Sequence, residues 1–155
     1  MGEPRLTDPA GAIVQEIEIA ARPETVFPFL TDPDRMCQWM GATATLDPRP
    51  GGVWSVDINE RYRARGAFVH VEPPTRVVFT WGWEDTPTVP PGSSQVEITL
   101  TPRGTGTLLR LVHSGLVADT HEDHTKGWTH YLARLATVAA GGNPGPDPNA
   151  AMAST

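Results

Sequence analysis

The sequence predicts an α+β fold in which a curved antiparallel β-sheet wraps around one long C-terminal helix. Three observations carry this. Between residues 42 and 114 short β-rich runs alternate with the turn signals RPGG, EPPT, EDTPTVPPGSS and PRGTG, which is the pattern of an antiparallel meander. The one long helical periodicity runs from about Thr120 to about Ala140 and is closed by Gly141-Gly142, a common helix stop. Ahead of the meander, a lone strand pattern is followed by two short helical stretches.

The chain opens with MGEPRLTDPAG, which holds Pro4, Pro9 and two glycines without periodicity, so residues 1–11 are expected to be a flexible tail. Ile13, Gln15, Ile17 and Ile19 then alternate with Val14, Glu16, Glu18 and Ala20, the period of a half-buried strand. In ARPETVFPFLTDPDRMCQWMG, Pro23 suits a first helical turn and Asp32 can cap ahead of Pro33. Two short helices are expected there, with Pro28 as an objection inside the first.

Within the meander, alternation sorts side chains between two faces. Trp54, Val56 and Ile58 share one face, as do Phe79, Trp81 and Trp83, then Val96, Ile98 and Leu100, then Leu109, Leu111 and His113. His113 is therefore expected to point inward. In RYRARGAFVHVE, placing Arg63 and Arg65 outside favours burying Tyr62, Phe68 and His70. In the last helix, Trp128, Leu132, Leu135 and Ala139 form an apolar stripe that extends backward to His124 and His121, while Glu122 and Lys126 mark the solvated side. Thr120 or Asp119 is the expected N-cap. The string GGNPGPDPNAAMAST closes the chain, so the domain is expected to span 12–141 and a flexible tail 142–155.

Composition excludes several classes of function. The 155 residues fit one domain, and 39% hydrophobic against 19% charged residues is not the balance of a disordered chain. No apolar run is long enough to cross a bilayer, and the N-terminus lacks a secretory layout, so a cytoplasmic location without membrane insertion is expected. A net charge of −6 with scattered basic residues, apart from RYRAR at 61–65, argues against nucleic acid as partner. Cys37 is the only cysteine, which excludes an internal disulfide.

The segments IEIAARPETVFPFLTDPDRMCQWM, RPGGVW, GAFVHVEPPTRVVFTW, QVEITLTPRGTGTLLRLVHSGL and KGWTHYLARL span most of residues 14–139. In their order and spacing the chain resembles the START-like (SRPBCC) superfamily, and within it the group similar to the C-terminal domain of the heat-shock-protein ATPase activator. The resemblance implies the helix-grip plan, with a cavity between sheet and last helix. It implies small-ligand binding as the shared denominator of a superfamily that also holds polyketide cyclases and a chaperone activator. That activator carries a further N-terminal domain not found here, so a chaperone partner is not expected.

The expected ligand is a hydrophobic or aromatic small molecule, bound by a monomer or homodimer without a cofactor. Its walls are expected from Trp39, Trp54, Tyr62, Phe68, Phe79, Trp81, His113, His124, Trp128 and Leu132, because one helix can hardly fill a large curved sheet. His113, His124, Tyr62 and His70 could orient its polar end. The alternative is a cyclase-like enzyme, with His124 or His113 as general base and Tyr62 holding an enolate oxygen. A binding protein is favoured over an enzyme. HEDH at 121–124 matches no zinc-helix signature, so no metal is expected. Trp39 and Met40 could stand at the entrance, the loop Glu84 to Ser94 could act as a lid, and Gly127 could let the helix approach the sheet.

Overall fold

A computed structural model describes residues 11–151 of the chain. Seven strands form one antiparallel sheet in the order β1-β7-β6-β5-β4-β3-β2. They are β1 (Ile13–Ile19), β2 (Thr43–Leu46), β3 (Val53–Asp57), β4 (Arg63–Glu72), β5 (Arg76–Trp81), β6 (Ser94–Arg103) and β7 (Gly106–Ser114). The sheet curves around the 19-residue helix α4 (His121–Ala139), giving the helix-grip architecture. Strand β1 closes the sheet by pairing with β7, from Ile13 opposite His113 to Ile19 opposite Thr107. Its Gln15 reaches the helix, donating from Nε2 to the Thr125 carbonyl at 3.0 Å.

Between β1 and β2 the chain makes three helical turns rather than two short helices: α1 (Pro23–Val26), α2 (Pro28–Thr31) and α3 (Pro33–Met36). The extra break falls at Pro28. Proline has no N–H to give the preceding turn, so a helix entering Phe27 must restart there. Asp32 does cap α3, its Oδ2 accepting from the Arg35 N–H at 3.1 Å.

Helix α4 begins differently from the expectation. Thr120 makes no side-chain cap; a 3₁₀ turn over Ala118–Thr120 precedes the helix, and the His121 N–H bonds the Ala118 carbonyl. That turn satisfies the first backbone donor of the helix, which has no partner within the helix itself. The apolar stripe then buries Trp128, Leu132, Leu135 and Ala139 as expected, together with Tyr131.

One register feature reverses a sequence expectation. Phe68 pairs with Phe79 but His70 pairs with Val78, so β4 carries one extra residue at a β-bulge. A bulge shifts the side-chain alternation by one position. Phe68 is consequently buried, whereas His70 faces solvent and Val71 packs against the core. Tyr62 precedes β4 at the sheet's rim and is 47% exposed.

Glycine is required where the loop between β5 and β6 crosses the sheet. A Cβ added to Gly82 would lie 1.8 Å from the Pro90 carbonyl oxygen, so only a bare Cα lets the proline-rich loop lie flat on the strand. The loop is anchored beside it by the Trp83 N–H on the Val89 carbonyl, at 2.7 Å. Among the described residues, no helix is long and apolar enough to cross a membrane. The expected N-terminal tail, apart from Gly11, lies outside the described residues, as do the last four residues of the C-terminal one.

Candidate functional site

The inner face of the sheet meets the helix in two different ways. At one end, Trp54 stacks on Phe79 with centroids 4.4 Å apart and Phe68 packs edge-on to Phe79, in the same buried core as Leu132 and Leu135 of the helix. At the other end the inner face opens into a cleft of about 590 Å³. Its walls come from Trp81 and Trp83 on the β5 side, Tyr62 and Asn59 on the β3–β4 turn, Thr86, Thr88 and Val89 on the loop, and His124, Gly127, Trp128 and Tyr131 on α4. The lid position expected for that loop thus coincides with one wall of the cleft.

Of the residues expected to contact a ligand, the structure brings Tyr62, Trp81, His124 and Trp128 together on the cleft wall. Trp54, Phe68, Phe79 and Leu132 lie in the packed core. Trp39 is 1% exposed, with its indole N–H bonded to the Phe29 carbonyl at 2.9 Å; Met40 beside it does reach the cleft. His70 is outside, for the reason given by the bulge. Gly127 does not bring helix and sheet into contact: a Cβ there would meet nothing within 4 Å. It leaves the floor of the cleft open instead.

Two indoles fix the state of the two inward histidines. The Trp128 Nε1–H donates to His113 Nδ1 at 3.0 Å, and indole can only donate. His113 therefore carries its proton on Nε2 and gives it to Ser94 Oγ at 2.9 Å, while Ser94 donates onward to the Trp81 carbonyl at 2.8 Å. In the same way the Trp83 Nε1–H donates to His124 Nε2 at 3.0 Å, so Nδ1 holds the proton and donates to the Thr120 carbonyl at 2.8 Å. Both rings are neutral and of opposite tautomer. Burial pushes His113 down to about 3, aided by repulsion from His124 and His121. Burial also holds His124 below the ordinary histidine value, against the raising influence of the Thr120 carbonyl and Asp123.

Several residues of this region carry no signal in the sequence patterns. Asn59 Oδ1 accepts from the N–H groups of Arg61 and Tyr62 at 2.8 and 2.7 Å, and so shapes the turn that presents Tyr62; an Asn between two strands is the one legible hint. Its Nδ2 donates to the Asn149 carbonyl at 2.8 Å, tying the segment after α4 to the cleft rim. There the Tyr131 hydroxyl donates to Asp147 Oδ2 at 2.7 Å and accepts from Asn149 Nδ2 at 3.2 Å. Burial, then the bond to Asp147, raises the Tyr131 phenol above its usual value. Burial alone would raise the Asp147 carboxyl, but donors from Tyr131, Asn149 and His130 outweigh it and hold the group ionised.

Other candidates have simple accounts. Burial, with Asp34 and Asp57 nearby, raises the Cys37 thiol, which keeps it protonated and a poor nucleophile. Among the described residues no group of three or more His, Cys, Asp or Glu side chains is arranged to hold a metal ion.

Comparison with known proteins adds a family. The family described as activator of Hsp90 ATPase homolog 1-like protein matches residues 20–140. Among solved structures, an activator-like protein of this kind from Rhizobium etli is 48% identical, with 88% of this chain and 86% of that one covered and a TM-score of 0.71. DynU16, a protein of the dynemicin biosynthetic locus, is 26% identical over 88% of this chain and 49% of its own, with a TM-score of 0.75. An HSP90 activator from Plasmodium falciparum shares the fold at 20% identity, covering 82% of this chain and 94% of its own at a TM-score of 0.68. No curated protein matches the sequence.

Proposed function

The chain belongs to the family of activator of Hsp90 ATPase homolog 1-like proteins, and from that premise we propose that it binds a hydrophobic or aromatic small molecule in the cleft between sheet and helix. The observation that carries this reading is the size and lining of the cleft. About 590 Å³, walled by Trp81, Trp83, Trp128 and Tyr62, lies within the usual range for small-molecule sites, and aromatic walls with a few polar groups are their common composition. Gly127 sits where a larger residue would close it.

A catalytic reading needs an imidazole with a free lone pair facing substrate. The lone pairs of His113 and His124 are each taken by an indole N–H, and both rings resist protonation. These contacts favour binding over base catalysis. The chaperone reading draws on the family's name and on an HSP90 activator that is 20% identical. Among the described residues, the exposed large apolar side chains Val14, Val53, Tyr62 and Val117 are scattered over two strands and two loops, which does not support a protein-docking patch.

Titration with the neutral fluorophore N-phenylnaphthylamine tests the reading. Saturable enhancement is expected, weakened in His124→Ala because the Trp83 indole loses the bond that fixes it as a wall of the cleft, with the fold retained. Equal affinity in the two proteins would overturn the role given to His124, and no saturation at all would overturn the binding reading.

A further inference from the structure

The charges around the cleft select among small molecules. Among the described residues no lysine or arginine lines it, while Asp123 stands at its rim. The nearest basic run along the chain is already neutralised at two positions: Arg63 bonds Glu84 at 3.1 Å, and Arg65 bonds both Glu84 at 3.1 Å and Asp57 at 2.7 Å. His124 is neutral, and its ring lacks a free proton to offer an anion. Glu122 and Asp123 occupy the first turn of α4, where they offset the positive end of the helix dipole. An anionic ligand would therefore enter an aromatic site with no lysine or arginine among its described walls, which is costly.

The aromatic rings supply the complementary half. Trp81 and Trp83 meet at 83°, Trp81 and Trp128 at 50°, and Tyr62 and Trp83 at 78°. These contacts bury Trp81 and Trp128 almost completely, whereas Trp83 is half-buried and Tyr62 is 47% exposed, so Trp83 and Tyr62 present most of the ring surface on the cleft wall. Ring faces carry negative quadrupole potential and attract organic cations, tryptophan most strongly. We propose that the cleft selects a small aromatic molecule bearing a quaternary or protonated nitrogen, held against Trp83 and Tyr62 with Asp123 at the rim. This rests on the small-molecule reading above and narrows it to one ligand class.

Three probes of equal shape test the charge alone: benzyltrimethylammonium, its neutral carbon isostere neopentylbenzene, and the anion phenylmethanesulfonate. Binding is followed by shifts of the indole N–H resonances. The cation is expected to bind about fivefold more tightly than the neutral isostere, although water favours expelling the hydrocarbon, and the sulfonate should not saturate. Asp123→Asn should weaken the cation about threefold, an effect that shrinks with added salt, and leave neopentylbenzene unchanged. Tighter binding of neopentylbenzene, or comparable binding of the sulfonate, overturns the cation proposal and leaves small-molecule binding standing. If none of the three binds while N-phenylnaphthylamine does, the cation proposal alone falls; if that fluorophore also fails to saturate, both fall.

Discussion

The two ends of the inner sheet face are built from the same kinds of residue and end in opposite states. At the closed end, Trp54, Phe68 and Phe79 pack on one another in the core that also holds Leu132 and Leu135, and none of them borders the cleft. At the open end, Trp81, Trp83 and Trp128 are offset by the polar ring of His124 and the missing side chain of Gly127. Trp81 belongs to both, lying 5.2 Å from Trp54 on one side and 5.2 Å from Trp128 on the other. What differs is the partner across the gap. Two leucines on the helix complete a core; a glycine and a hydrogen-bonded histidine one and two turns earlier leave a cleft.

If the closed end holds the fold, damage there should cost most. Leu135→Ala, at a site with no solvent exposure, should lose about 2–5 kcal/mol of stability in denaturant unfolding. Tyr62→Ala at the half-exposed rim should lose far less. Equal losses would mean that the two ends share the load and the contrast is misplaced.

Acid should next attack the seam between the ends, where His113 is sealed. The unfolded chain binds a proton on this ring below about 6.5, but the folded chain only below about 3. Unfolding therefore takes up a proton in that window, and stability falls as the pH falls, by up to about 1.4 kcal/mol per pH unit for this ring. His124, depressed in the same direction, and Asp147, which loses its donors' support on protonation, add to the trend. His113→Gln can still accept from Trp128 and donate to Ser94 yet does not titrate. Its stability should decline less steeply between these pH values; identical slopes would show that the buried ring is not the acid-sensitive group.

The loop over the open end provides a smaller effect. Gly82→Ala forces the Pro90 carbonyl away from the strand, at a cost of about 1–3 kcal/mol. Amide exchange should quicken at Trp83, whose N–H is held by Val89. Unchanged exchange there would contradict the seating of the loop on Gly82.

This contrast also explains what the sequence could and could not reveal. Alternation in GVWSVDI, VVFTWGWE and LLRLVHS correctly assigned Trp54, Phe79, Trp81 and His113 to the inner face, because strand period is a local property of the chain. The same local rule fails at His70, since the bulge after Phe68 depends on how β4 meets β5 and leaves no compositional mark. Nor can periodicity distinguish Trp54, which is packed, from Trp81, which borders space: that depends on residues some fifty positions away on α4. The Tyr131, Asp147 and Asn149 bonds were illegible for a related reason. They are polar contacts made by a Pro- and Gly-rich segment with no repeat to read.

The most direct test of an open end beside a closed one is a side chain placed in the empty volume. Gly127→Leu adds bulk where an extra Cβ would meet no atom within 4 Å and replaces a poor helix former, so thermal stability should hold or rise by up to about 1 kcal/mol. N-phenylnaphthylamine binding should be lost in the same protein. Undiminished binding by a folded Gly127→Leu variant, or unfolding caused by the leucine, would contradict the presence of a ligand-sized space at this end of the helix.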